Sequence, residues 1–167
     1  MKKIIYTVLI LMVNSIMYSQ VGIETTSIHA DAILDFPIGQ NKGIVLPMVD
    51  VLPSGAAATN GTFLIDKTDG RVKVRQNGIW INLTRTYNLS SYFVNPSPDT
   101  SDGVIIGASS SSASGVLVLE STNKALMLPK VASPHLNIKS PYPGLMCYDT
   151  DKNSLAVFNG EGWYYWK

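Results

Sequence analysis

Apolar and polar residues alternate along several short segments of the chain, and no long segment repeats apolar residues with the 3.6-residue period of a helix. Arg71–Arg75 alternates strictly, which predicts a strand with one apolar and one polar face. Further strands are predicted over Gly43–Val49, Thr62–Asp66 and Ile79–Leu83. Ala30–Asp35 fits either a short helix or a strand, and we favour the strand. The pattern predicts an all-β fold.

The sequence contains an internal repeat, because the same motifs return in the same order. Four pairs of segments match at offsets of 82 or 83, the last with one extra residue in the second copy: Val21–Thr25 with Val104–Ala108, Asn41–Val49 with Asn123–Val131, Gly61–Asp66 with Gly144–Asp149, and Asn77–Trp80 with Asn159–Trp163. We therefore predict two tandem β modules at residues 20–84 and 103–167. A linker at residues 85–102, which contains two prolines among small polar residues, joins them.

Turn signals separate the predicted strands of each module. Asp69-Gly70 and Asn77-Gly78 favour tight hairpins because these residues tolerate a positive φ. Asp151–Ser154 and Asn159-Gly160 take those places in the second copy. Each module is therefore predicted to end in a small β-meander that closes on a tryptophan.

Modules of this size are too small to bury a large core on their own. The chain has one cysteine, Cys147, so no disulfide can form within it, and we expect a buried, inert thiol. Small domains without disulfides or metals are often stabilised by association. The sequence thus predicts that the two modules are intertwined with other chains in an oligomer.

The N-terminus has the pattern of a secretory signal peptide. Lys2 and Lys3 precede an apolar run from Ile4 to Val13, which is shorter than a membrane-spanning helix of about 20 residues. We predict a signal peptide at residues 1–19, with Gln20 as the new N-terminus; the alternative is an N-terminal membrane anchor. The expected location is the cell surface, the outer membrane or the extracellular space.

A set of motifs covers nearly all of the chain after residue 19: Val21–Thr26, Ile33–Asp35, Asn41–Pro47, Leu119–Lys124, Leu128-Pro129, Gly144–Thr150 and Asn159–Trp163. In these motifs the chain resembles secreted tail-fibre-like and surface repeat proteins of Bacteroidota. The resemblance implies a β-rich, trimeric stalk or head piece displayed at or beyond the outer membrane. Glu24 and Met48 stand where the family usually has glycine and arginine, and Lys130 keeps the charge in the second copy.

Composition and motifs favour a non-catalytic protein. Thirteen Lys and Arg residues face twelve Asp and Glu residues, without the basic excess that nucleic-acid binding by charge requires. We find no nucleophile elbow, phosphate loop or zinc motif, and expect no cofactor, no metal and no enzyme activity. Asp149-Thr150-Asp151 resembles the start of a calcium loop, but the later glycine and glutamate are missing, so we favour an Asx-type turn. His29 and His135 are interpreted as exposed or locally hydrogen-bonded.

The aromatic C-terminus is the candidate contact site. Trp163, Tyr164, Tyr165 and Trp166 follow one another, so on a strand alternate members face opposite sides. Packing in the core or at an oligomer interface is the favoured interpretation, and contact with a partner or a glycan is the alternative. The linker aromatics Tyr87, Tyr92 and Phe93 pose the same choice.

The leading functional hypothesis is an exported, non-catalytic structural or adhesive fibre-like protein that forms a homotrimer. A second hypothesis is an accessory subunit that binds an outer-membrane secretion or gliding complex. A third is a carbohydrate-binding module that recognises a surface glycan.

Overall fold

The structure, a computed structural model, describes residues 20–92 and 103–167. Within these residues the chain forms fourteen short strands, one 3₁₀ turn at Gly55–Ala58 and one single-turn helix, α1, at Pro134–Asn137. The strands are β1 (Val21–Gly22), β2 (Ala32–Asp35), β3 (Ile44–Val45), β4 (Met48–Val49), β5 (Phe63–Asp66), β6 (Arg71–Gln76), β7 (Ile79–Asn82), β8 (Val104–Ile106), β9 (Leu117–Leu119), β10 (Ala125–Leu126), β11 (Lys130–Val131), β12 (Leu145–Asp149), β13 (Ser154–Phe158) and β14 (Trp163–Trp166). The all-β prediction is confirmed.

The first copy ends in a four-stranded sheet of order β4-β5-β6-β7. β4 runs parallel to β5, whereas β5, β6 and β7 form an antiparallel meander. A two-residue turn connects β6 to β7, and its residues Asn77 and Gly78 have φ angles of 49° and 74°. These positive values are what an Asn-Gly hairpin turn requires, so the predicted hairpin is confirmed.

The second copy repeats this sheet in β11-β12-β13-β14. The parallel register Met48↔Ile65 of the first copy returns as Lys130↔Tyr148 in the second. The antiparallel register Arg75↔Trp80 returns as Phe158↔Trp163. The two tryptophans are therefore equivalent at an offset of 83, and the segment before Trp163 is no longer than the one before Trp80, so the extra residue expected in the second copy is not needed.

Asn159-Gly160 was expected to form a hairpin turn like that of Asn77-Gly78, and the structure uses it differently. Asn159 is fully buried, and its side-chain oxygen accepts hydrogen bonds from the amides of Glu161 and Gly162. Its side-chain amide donates to the carbonyl of Arg85 at 3.2 Å, so this turn is fixed to the linker. The tertiary contact, which sequence spacing does not show, decides the turn geometry.

A parallel strand pair precedes each meander. β1 pairs with β2 in the register Val21↔Leu34, and β8 pairs with β9 in the register Ile106↔Leu119. Both registers join residues 13 positions apart, so they fit the expected match of Val21 with Val104 as well as a match of Val21 with Ile106. Both alignments put an apolar residue at each position, so apolar pattern alone could not separate them.

The predicted strand Gly43–Val49 is divided in two at its Leu-Pro step. β3 pairs antiparallel with β12, whereas β4 pairs parallel with β5. Pro47 lacks an N–H group, and its carbonyl accepts a hydrogen bond from the amide of Ile65 at 2.9 Å. The chain therefore leaves one sheet and enters the next around this residue.

The two copies exchange strands and share a core. β10 of the second copy pairs with β2 of the first, and β3 of the first copy pairs with β12 of the second. The larger core cluster draws on both copies and on the linker: Leu46, Ile65, Val72, Leu83, Leu89, Met146 and Val157. The copies are thus packed on each other and intertwined within a single chain.

The alternating strand β6 does not have the fully polar outer face that its sequence predicts. Lys73 is 7% exposed, because its ammonium group is held by two carboxylates. Lys73 Nζ lies 2.6 Å from Asp66 Oδ2 and 2.9 Å from Asp69 Oδ2. Asp66 and Asp69 belong to the preceding strand and turn, so only the pairing of β5 with β6 reveals the cluster.

Candidate functional site

The aromatic C-terminus forms β14, which lies at the edge of its sheet and pairs with β13. Trp163 and Tyr165 share one face and pack against the smaller core cluster, which contains Val131, Ile138, Leu145, Cys147 and Ala156. The Trp163 ring lies 5.5 Å from that of Phe158, and Lys152 Nζ lies 3.5 Å from the centre of the Tyr165 ring. These two aromatic residues therefore have a packing role, as the favoured interpretation expects.

The other face of β14 turns toward the first copy. Trp166 Nε1 donates a hydrogen bond to the carbonyl of Leu83 at 3.0 Å, while 44% of the residue stays exposed. Tyr164, on the same face, is half-buried. Of the four predicted contact residues, Trp166 alone presents a large exposed area in this structure, so a partner would meet a narrow aromatic surface.

The described part of the linker, residues 85–92, packs against the core. Tyr87 and Tyr92 contact the larger core cluster, and the Tyr92 ring lies edge-on to that of Tyr142, with centroids 5.4 Å apart. Phe93 lies outside the described residues. Tyr87 passes so close to Gly70 that a Cβ atom at Gly70 would lie 1.8 Å from the Tyr87 carbonyl oxygen. The glycine of the Asp69-Gly70 turn thus makes room for the linker.

Burial and ion pairing act in opposite directions on the carboxyl of Asp66. Burial alone would raise the pKa of Asp66, but hydrogen bonds from Lys73 and Thr68 outweigh it and hold that pKa below its usual value. Burial likewise opposes the charged form of Lys73, and its carboxylate partners raise the pKa of Lys73 in spite of it. Both shifts favour the charged forms of Asp66 and Lys73, so this ion pair is a structural feature of the first copy.

The equivalent carboxylate of the second copy lacks such a cation. Asp149 is fully buried, and its Oδ1 accepts hydrogen bonds from the turn amides of Asp151 and Lys152. This is the Asx-type turn that the sequence favours. Its Oδ2, however, has no hydrogen-bond partner within the described residues, and neither has the hydroxyl of Ser154 on the paired strand. The position that matches Lys73 is Ala156.

The two histidines and the cysteine are structural. His29 Nδ1 lies 2.6 Å from Asp35 Oδ2; burial works against the low pKa of Asp35, and hydrogen bonds from His29 and Phe36 produce it. His135 lies 3.3 Å from the hydroxyl of Tyr165. Cys147 is buried as expected, and burial raises the pKa of its thiol to about 12, so it is a poor nucleophile.

Chemistry-bearing side chains do not converge in the part of the chain that the structure describes. No group of three or more His, Cys, Asp or Glu residues is placed there to hold a metal ion. A search of the same residues for an apolar helix long enough to cross a membrane finds none.

The most distinctive surface is the open edge of strand β9, which the sequence pattern did not predict. Among the described strands, β9 pairs with β8 alone, and the outer edge of β9 is open. Apolar residues surround it: Val104, Val116 and Leu117 are 57%, 65% and 46% exposed. An open apolar edge is a template for strand addition from another chain. The sequence signal was the unbroken apolar run Val116–Leu119, which a half-buried strand with one polar face would not have.

Residues 105–167 match the family model of the phage tail like trimerisation region. The match supports a homo-oligomer of the tail-fibre-like class and a structural rather than an enzymatic role. No curated protein and no solved structure matches the chain.

Proposed function

We propose that the protein is a non-catalytic, homotrimeric piece of a fibre-like structure. The observation that carries the proposal is the match of residues 105–167 to a trimerisation region. The open, apolar edge of β9 lies within those residues, as expected for a segment that meets another chain. The shared core of the two copies gives each chain a folded unit that can present this edge.

The proposal includes a place of action. The N-terminal pattern supports export through a signal peptide at residues 1–19, and the motif resemblance supports display on the envelope of a Bacteroidota-like cell, with adhesion as the role. The first test of this part is the N-terminal sequence of the exported protein. We expect Gln20; a retained leader would contradict export by cleavage.

The test of the oligomer is the solution mass of the purified protein by light scattering after size exclusion. We expect a mass near three chains that does not change when the loading concentration is lowered tenfold. A folded protein with the mass of one chain would contradict the proposal. A two-chain mass would keep the oligomer and exclude the trimer.

A second candidate is docking on an outer-membrane complex, and Trp166 favours it because its ring is half-exposed beside the edge of β14. Trp166→Ala should abolish co-purification with such a complex and leave the trimer mass unchanged. Trp163→Ala is the matched control, since Trp163 packs inward and its loss should lower stability by about 2–4 kcal/mol. Glycan binding that Trp166→Ala removes would instead support the carbohydrate-binding alternative.

A further inference from the structure

We propose that the open edge of β9 in one copy of the chain pairs in parallel with β3 of a second copy, in the register Leu119↔Ile44. The amide of Val45 in the second copy then donates a hydrogen bond to the carbonyl of Leu119. The inference rests on the proposed trimer and specifies which strands join its subunits.

The template for this pairing already exists within one chain. β2 pairs in parallel with β10, and Leu34 lies opposite Leu126. The next amide along, that of Met127, donates to the carbonyl of Leu34 at 3.0 Å. The first copy therefore accepts a strand from the second copy at the outer edge of β2.

The internal repeat converts this template into a prediction about β9. Leu34-Asp35 matches Leu119-Glu120, since each is a leucine followed by an acidic residue, and this match makes Leu119 the counterpart of Leu34. The registers Val21↔Leu34 and Ile106↔Leu119 agree with it. The motif that contains β3 matches the motif that contains β10 at an offset of 82, which makes Ile44 and Val45 the counterparts of Leu126 and Met127. Within one chain, β10 pairs with the outer edge of β2, whereas no described strand pairs with the outer edge of β9.

The backbone groups of β9 point to the open edge where the pairing requires it. The carbonyl of Val116 accepts from Val104, and the amide of Glu120 donates to Ile106, both at 2.9 Å. Because hydrogen-bonding groups of successive residues in a strand alternate between its two edges, Leu117 and Leu119 direct theirs away from β8. Leu117 is also 46% exposed.

The partner strand β3 has a matching open edge. The amide of Leu46 donates to the carbonyl of Gly144 at 3.0 Å, and Ile44 lies opposite Met146. By the same alternation, the amide and carbonyl of Val45 point away from β12. Val45 is 49% exposed. One edge of β3 is thus occupied within the chain, and no strand of residues 20–92 or 103–167 pairs with the other, which can meet β9 of another copy.

The same arrangement of two neighbouring chains creates a second strand pair between them. Within a chain, β3 lies beside β12 in the register Ile44↔Met146. The repeat makes β10 and β5 the corresponding strands, so Leu126 of one copy would lie opposite Phe63 of the next. β4 occupies the edge of β5 at Ile65 and Asp66, which leaves the edge at Phe63 open among the described strands. Two short pairings would therefore form together.

Such an interface joins different surfaces on the two partners. A head-to-tail contact closes into a ring when its rotation divides a full turn, as in a threefold assembly. A trimer is therefore compatible with this pairing, because each chain can offer β9 to one neighbour and β3 to the other.

The test is disulfide cross-linking between two singly substituted full-length chains that carry tags of different mass. One chain carries Leu119→Cys and the other Ile44→Cys. Under mild oxidation we expect a cross-linked band that contains one chain of each tag. It should be at least tenfold stronger than any cross-linked dimer band that either variant gives alone. The native Cys147 is buried and should stay reduced. A control pair of Ile44→Cys with Leu136→Cys, which lies exposed on α1, should give no such band.

The outcomes separate this inference from the proposed function. A three-chain mass with the Leu119–Ile44 cross-link supports both. A three-chain mass in which the control pair cross-links equally well, or no pair does, overturns the strand pairing and keeps the trimer. A one-chain mass for the unsubstituted protein overturns both. Leu119→Lys gives a second measurement, because a charged edge residue should reduce the three-chain fraction at least tenfold while the far-ultraviolet spectrum of the folded chain persists.

Discussion

Lys73 is the residue whose removal should most disturb the first copy. Its largely buried ammonium group contacts two carboxylates, so Lys73→Met leaves the buried Asp66 without its cation. Removing one partner of a buried ion pair costs about 3–5 kcal/mol. Chemical denaturation should show a loss of that size. Lys67→Met is the control, since Lys67 pairs loosely with Asp50 at 3.9 Å and should cost less than about 1 kcal/mol.

The same cluster sets a direction for pH dependence. The pKa of Asp66 is lowered in the folded state, so its stabilisation is present above about pH 4 and is lost as pH falls through the folded pKa. The pKa of Lys73 is raised, so its share is present below about pH 10.5 and is lost at still higher pH. A Lys73→Met protein that kept the full acid sensitivity of the parent would contradict this assignment.

Asp149 should respond in the opposite way to its counterpart Asp66. Asp149→Asn removes a buried charge whose Oδ2 has no partner among the described residues, and it keeps the oxygen that caps the turn. We expect unfolding free energy to be unchanged or to rise by up to about 2 kcal/mol. Asp66→Asn should lower it, because it weakens the pair with Lys73. Urea unfolding of the two variants side by side would contradict the comparison if both lost stability equally.

At the scale of elements, the turn between β5 and β6 is where the linker docks. Gly70 has a φ of 66°, and an added Cβ would lie 1.8 Å from the Tyr87 carbonyl oxygen. Gly70→Ala should therefore cost at least about 3 kcal/mol, through backbone strain and displacement of the linker. Gly78→Ala is a matched control, since Gly78 has a φ of 74° with open space around it and should cost only about 1 kcal/mol. Thermal unfolding that ranked the two equally would contradict a role for the linker contact.

Strand positions were predictable wherever local pattern decides them. The meander strands and the Asn77-Gly78 turn follow from alternation and turn chemistry, and the structure has them within one or two residues. Pairing between distant segments was not predictable, because β2 with β10 and β3 with β12 depend on contacts far apart in sequence. Glu24 has a φ of 58°, a backbone conformation that favours glycine and that strand pattern does not predict.

The candidate site was predictable to a similar degree. The run Trp163–Trp166 predicted side chains on two faces of a strand. The structure places Trp163, Tyr165 and Trp166 against other parts of the chain. The open edge of β9 was missed because an edge is a property of a sheet, not of a strand's own sequence. The missing strand partner of β9 is recognised only by comparison with its counterpart β2, which pairs with β10.

At the scale of the whole molecule, the two copies should unfold together. The larger core joins Ile65 and Val72 of the first copy to Met146 and Val157 of the second. We expect calorimetry to give a single transition in which the van't Hoff and calorimetric enthalpies agree for the cooperative unit. Two resolved transitions would contradict a shared core. The pair Val72→Ala and Val157→Ala provides the check, since each should lower the same melting temperature.

The exchange of strands between the copies also fixes the order in which a growing polypeptide can become native. β2 can pair with β10, and β3 with β12, only after those later strands have been synthesised, and β12 ends at Asp149. Synthesis proceeds from the N-terminus, so the first half leaves the ribosome with its partner strands still unmade, and closing such distant pairs is slow. β2 and β3 therefore acquire these native partners only when nearly all of the chain has been made.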